Sequence, residues 1–137
     1  MLNRDVAELL RGHAVRPSAQ RVAVARYVLA SDAHPSAEQV FAALRGRVAA
    51  LSRATVYNTL NLLVAKGLLR TLTLAAGTTV FDPRVEPHHH FIDEDTGRIH
   101  DVPWSALRVS QVAALDDFDV RDLMVVMRGR RRRLRAR

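Results

Sequence analysis

The sequence contains no cysteine. Its absence excludes disulfides, thiolate-held structural zinc and iron–sulfur clusters, and leaves imidazole and carboxylate as the donors for any metal. Long apolar runs are missing as well, and nothing approaches the roughly 20 residues needed to span a bilayer. The first eight residues, Met-Leu-Asn-Arg-Asp-Val-Ala-Glu, carry two acids and no apolar signal core. A cytoplasmic protein with no membrane partner is the expectation. No phosphate-cradling loop and no nucleophile–base pair stands out, which argues against an enzyme. What is present is a 137-residue chain, 48% hydrophobic, long enough for one ordinary domain or two small ones.

The net charge of +7 is unevenly spread. Residues 1–81 hold nine arginines and Lys66 against four acids, a net +6. Residues 82–127 hold four arginines against ten acids, a net −6. The run 128–137, RGRRRRLRAR, holds seven arginines and no acid. A basic front suits a polyanion, because counterion release raises affinity for phosphate, and ordinary solvated faces are the alternative. The terminal run reads as a solvated, disordered tail, with phosphates or an acidic partner as the alternative.

The front half is a series of helical patterns. Residues 5–11 form a short one. Ser18 follows Pro17 and can cap a helix whose Val22, Ala25, Val28 and Leu29 share a face. Ser36 and Gln39 have the spacing of a capping box, opening a helix through Val40, Phe41 and Leu44. A fourth helix runs from Ser52 to Lys66 and stops at Gly67. Its Val56, Leu60, Leu63 and Val64 make a core stripe, and Arg53, Tyr57, Asn58 and Asn61 occupy the opposite face. Asparagine can grip adenine with two hydrogen bonds, and an aromatic ring can pack on a thymine methyl. Beyond Gly67, two β-prone runs, 69–73 and 78–81, flank Gly77 and read as a hairpin. Helices followed by a hairpin fit a winged helix that binds DNA, or else a plain helical domain with a polar surface.

Three of the six histidines lie in Phe81-Asp-Pro-Arg-Val-Glu-Pro-His-His-His-Phe91. Side chains alternate along a strand, so His88 and His90 point together and His89 points away. Two imidazoles with carboxylates nearby make half of a divalent-cation site; a solvated strand edge is the alternative. His13 reads as a surface residue in a helix-end turn, and His100 as facing away from its neighbour Asp101.

Three blocks, Arg16-Pro-Ser-Ala-Gln-Arg21, His34-Pro-Ser-Ala-Glu-Gln-Val40 and Ser52-Arg-Ala-Thr-Val-Tyr-Asn-Thr-Leu60, resemble in order and spacing the DNA-binding half of the ferric uptake regulator superfamily. The resemblance runs over nearly the whole chain. It implies an α+β protein: a winged-helix DNA-binding domain at 1–81, a small α/β metal-binding and dimerisation domain at 82–127, and an Arg-rich tail at 128–137. It implies a homodimer on an A/T-rich palindromic operator. DNA contacts would come from Arg11, Arg16, Arg21, Ser52, Arg53, Thr55, Tyr57 and Asn58, with Tyr57 and Asn58 on bases and Arg11 toward a minor groove. It also implies that His34, Asp82, His88, His90 and Asp101 form the regulatory metal site. That donor set suits Fe²⁺ or Mn²⁺, and Zn²⁺ in vitro. Asn58 matches the peroxide-sensing and iron-response branches, and Asp101 matches the peroxide-sensing branch, in which His34 and His88 stand at the positions open to oxidation.

The chain also departs from that pattern. Asp93 and Thr96 stand where most members place the first Cys-x-x-Cys pair, so the structural zinc is absent and the acidic half must pack by apolar contact, with Val120, Leu123, Val125 and Met127 as contributors. Pro87, His89, Arg108 and Leu123 occupy the places of a second regulatory site, which is lost. The triple histidine and the arginine-rich end resemble the iron-response branch, associated with haem, so haem is the alternative ligand. The rival from another class is a small metal-dependent enzyme on a His-x-His strand. Such a fold needs strands throughout, whereas residues 1–67 read as helices.

Overall fold

A computed structural model describes residues 2–133; Met1 and the last four residues of the arginine run, 134–137, lie outside it. Two compact units divide the chain, Met1–Val85 and Glu86–Arg137.

In the first unit four helices precede a hairpin: α1 (Asn3–Gly12), α2 (Ala19–Leu29), α3 (Ala37–Leu44), α4 (Arg53–Ala65), β1 (Arg70–Thr73) and β2 (Thr79–Asp82). The helix starts are set by short side chains that accept otherwise orphaned backbone N–H groups. The Ser18 Oγ accepts from the Arg21 amide at 3.1 Å and the Ser52 Oγ from the Thr55 amide at 3.1 Å. At α3 the box is reciprocal: Ser36 Oγ accepts from the Gln39 amide at 3.2 Å, and Gln39 Oε1 accepts from the Ser36 amide at 2.9 Å. Past the end of α4 the chain turns at Gly67 (φ 77°), and the Leu68 amide reaches back to the Leu63 carbonyl at 2.9 Å. That left-handed residue and six-to-one bond stop the helix.

Val6 and Leu10 of α1, Val24, Ala25 and Val28 of α2, Val40 of α3 and Val56, Leu60 and Leu63 of α4 fuse into one core. Val24 lies off the stripe expected for α2, yet it is buried. α2 packs against α1, α3 and α4 together, so more than one of its faces is covered. β1 and β2 pair antiparallel with Leu72 opposite Val80, closed by Gly77 at φ 84°.

In the second unit β3 (His88–Asp93) is the central strand, antiparallel to β4 (Ile99–Pro103) and parallel to β5 (Val126–Gly129). The β3–β4 turn is held by side chains where the family's cysteines would stand. Asp93, buried, accepts the Asp95 amide on Oδ1 at 2.9 Å, and Thr96 Oγ1 accepts the Arg98 amide at 3.2 Å. Short polar side chains thus hold this turn. Among the described residues the unit's helical content is two single 3₁₀ turns, Trp104–Ala106 and Val112–Ala114. Leu123, Val125 and Met127 are half-buried as the packing argument requires, but Val120 is 43% exposed, because the segment before β5 has no regular structure to press it onto the sheet. The arginine run does not begin as a free tail: Arg128 and Gly129 belong to β5, paired with Ile92 and Asp93. Among the described residues no helix is long and apolar enough to cross a membrane.

Candidate metal centre and nucleic-acid interface

The first unit contributes one imidazole and one carboxylate. His34 sits in the loop before α3 with φ 51°, a left-handed conformation uncommon outside glycine. Such strain persists only where neighbours enforce it. A β-bridge between Ser36 and Val80 does so, in which the Pro35 carbonyl accepts the Phe81 amide at 2.9 Å. The loop is thereby stitched to β2, whose last residue is Asp82. The His34 Nε2 lies 3.1 Å from the Asp82 Oδ2, with both side chains buried. The other carboxylate oxygen, Oδ1, accepts the Arg84 amide at 2.9 Å, which fixes its orientation.

The second unit contributes two imidazoles and one carboxylate. His90 is directly opposite Asp101 in the β3–β4 register. The His88 and His90 rings meet edge-on, 4.6 Å between centroids. Their Nε2 atoms lie 3.3 and 3.7 Å from the same oxygen, Asp101 Oδ1. The His88 Nδ1 is 2.7 Å from the Glu86 carbonyl. A carbonyl only accepts, so Nδ1 carries the hydrogen and the Nε2 lone pair faces a carboxylate. Two acceptors at that separation call for a cation or a proton between them. A backbone carbonyl behind the ring is the arrangement that orients a metal-ligating histidine. Nitrogen and oxygen donors without thiolate suit a divalent metal ion in each unit.

His89 points the other way, as strand alternation requires. It is fully buried and stacks on Trp104 at 4.7 Å between centroids. Its Nδ1 accepts the Val125 amide at 2.9 Å, so Nε2 keeps its proton. An imidazole in that tautomer has no lone pair at Nε2 for a haem iron. His100 pairs with the Phe91 ring, 6.3 Å away, and His13 is exposed with Nδ1 2.9 Å from the Leu9 carbonyl.

The residues singled out for DNA fall into three groups. Arg16, Arg21, Thr55 and Asn58 line a hollow of about 380 Å³ beside the N-terminal half of α4, joined there by Ser18 and Gln20. The Arg21 guanidinium donates to the Arg16 backbone carbonyl at 3.0 Å, which holds the Arg21 side chain against the segment before α2. Arg53 and Tyr57 are both tied to Glu38: the Arg53 Nε donates to Oε2 at 3.2 Å while its guanidinium lies 4.7 Å over the Phe41 ring, and the Tyr57 hydroxyl reaches Oε1 at 3.5 Å. Ser52 is engaged as the helix cap, and Arg11 is exposed at the end of α1. Glu38 was not legible as part of this surface. Its only signal was an acidic side chain in the first turn of α3, and no sequence spacing connects it to Arg53.

The pattern of the Ferric uptake regulator family matches residues 13–127. The peroxide operon regulator of Bacillus subtilis (strain 168) is 37% identical over 112 residues, 81% of this chain and 77% of that protein. The structure reported for peroxide sensing and gene regulation by PerR from Streptococcus pyogenes superposes with a TM-score of 0.54 at 28% identity, covering 93% of this chain and 89% of that one. The ferric uptake regulator from Pseudomonas aeruginosa with manganese superposes with a TM-score of 0.70, covering 97% of this chain and 100% of that one; at 24% identity the likeness is one of fold.

Proposed function

The chain belongs to the ferric uptake regulator family, whose members are transcriptional regulators and not enzymes, and from that premise we propose a metal-dependent repressor that responds to iron, manganese or peroxide. His34 and Asp82 of the first unit and His88, His90 and Asp101 of the second are its ligands for a single divalent ion. The observation that carries this reading is the same in both units: a buried imidazole nitrogen set against a carboxylate oxygen, at 3.1 Å and 3.3 Å. An ion ligated from both units makes their mutual orientation depend on metal, and with it the separation of two recognition helices in a dimer. Half-sites about one helical turn apart accept only one such separation, so metal and DNA affinity are linked. Trp104, Val109, Leu115, Phe118 and Val120, all more than a third exposed, supply apolar surface for a homodimer.

DNA reading then falls to Tyr57 and Asn58 on bases, with Arg16, Arg21 and Thr55 on the flanking backbone and Arg11 in the minor groove of an A/T-rich palindrome. Arg53 acts chiefly through Glu38 and Phe41, holding α4 on α3. The test is duplex affinity with Mn²⁺ and with EDTA. An increase of about 5- to 150-fold with Mn²⁺ is the usual range for such coupling; equal affinity sinks metal control and leaves DNA binding standing.

The peroxide response is carried by relatives named for it and by the exposure of Asp101, a quarter open to solvent beside two buried imidazoles. Bound iron supplies the redox chemistry. The chain supplies the imidazole that takes one peroxide oxygen onto a ring carbon, the other leaving as water; His34 and His88 are the acceptors. Peptide mass spectrometry of the Fe²⁺ form after peroxide should find one added oxygen on either residue and none in the Mn²⁺ form. No added oxygen on either histidine refutes the sensing role. Haem control is the weaker reading, since the Val125 amide holds His89 in the tautomer that cannot ligate through Nε2.

A further inference from the structure

The charge of the arginine run has no role in the metal site, and its placement is unusual. It leaves the acidic unit, whose residues 82–127 carry a net −6, and the chain outside the run is neutral overall. A duplex is attracted to the basic front and repelled by residues 82–127. We propose that Arg128 and Arg130–Arg133 form a second, sequence-independent surface for the phosphates of the same duplex; the proposal rests on the DNA-binding reading above.

Three observations support it. The start of the run is anchored rather than loose. Arg128 pairs opposite Ile92 in the sheet, and the Gly129 carbonyl accepts the Glu94 amide at 2.8 Å. Next, Arg130–Arg133 are exposed and line an open hollow of about 570 Å³ together with Asp95. Among the described residues none of the four is held in an ion pair. Finally, every charge is a guanidinium, which grips phosphate with two parallel N–H donors and stays charged at any working pH. Four unneutralised neighbours repel one another, and phosphates spaced along a backbone relieve that repulsion.

A duplex is favoured over an acidic protein because it is already bound by the other unit of the same chain. Tethering turns the second contact into an intramolecular one, with an effective concentration set by the connection. The neutral body also lacks net attraction for a polyanion, so the run supplies the long-range pull that speeds association.

The experiment compares the full chain with a variant carrying Arg130→Gln, Arg131→Gln, Arg132→Gln and Arg133→Gln, titrating operator duplex and a scrambled duplex across salt in Mn²⁺. Each lost phosphate contact lowers the slope of log affinity against log salt by about 0.9, so four lower it by roughly 3–4. Between roughly 50 and 200 mM salt the full chain should then lose about a hundredfold more affinity than the variant. Preference for the operator over the scrambled duplex should stay the same, because backbone contacts carry no sequence information. Four lysines in place of the glutamines should restore most of the slope, which a folding defect would not allow. Equal slopes in chain and variant overturn the proposal, as does a loss confined to sequence preference. If the full chain binds no duplex in any metal state, the DNA reading itself fails.

Discussion

Leu60→Ala should destabilise the first unit by about 2–5 kcal/mol. Leu60 is fully buried in the middle of the core stripe, with Val56 one turn before it and Leu63 most of a turn after. Removing three carbons there opens a cavity that α2 and α3, packed on α4, can only partly close. At about 4–8 °C per kcal/mol for a unit of this size, the thermal transition should fall by ten degrees or more. Far-UV circular dichroism through a urea titration measures it. Asn61→Ala, next along the helix but exposed, should change stability by less than about 0.5 kcal/mol. Tyr57 and Asn58 lie on the exposed face, so the folded fraction of the Leu60 variant should keep its DNA affinity. A loss below about 1 kcal/mol would mean that α4 is not the centre of the core.

Much of this was legible because the signals are local. Ser18, Ser36 with Gln39, and Ser52 announce helix starts through bonds to residues three positions on, and Gly67 and Gly77 mark turns only glycine enters cheaply. The face alternation of β3 was equally readable, since it needs only the two-residue period of a strand. What stayed hidden is non-local. The parallel pairing of β5 with β3 has no hairpin turn to signal it, so neither the inclusion of Arg128 in a strand nor the Val125 amide against His89 could be foreseen. Arg53 looked like a base-facing side chain on helical geometry alone. Its ion pair with Glu38 and its place over the Phe41 ring depend on the packing of α3 on α4, which no local spacing announces. The burial of Val24 depends in the same way on which helices surround α2.

His90→Ala and His89→Ala should have opposite consequences although the residues are adjacent. His90 turns its Nε2 toward Asp101, directly opposite in the register, beside the His88 ring. Its loss takes away one of three imidazole donors and leaves the backbone pairing of β3 with β4 untouched. Duplex affinity in Mn²⁺ should fall to the EDTA value, a loss of about 5- to 150-fold, while affinity in EDTA is unchanged. His89 lies on the other side of the strand, packed on Trp104 and accepting the Val125 amide. Its loss leaves that amide unsatisfied and a void against the indole, so the second unit should weaken by about 1–3 kcal/mol. The ratio of affinities in Mn²⁺ and EDTA should persist in the His89 variant under conditions where it remains folded. If His89→Ala abolishes the metal response while His90→Ala spares it, the metal lies on the other face of β3 and the five-residue centre is wrong. The pair of variants therefore tests the strand geometry and the metal assignment together, and the readout in EDTA separates a lost ligand from a lost fold.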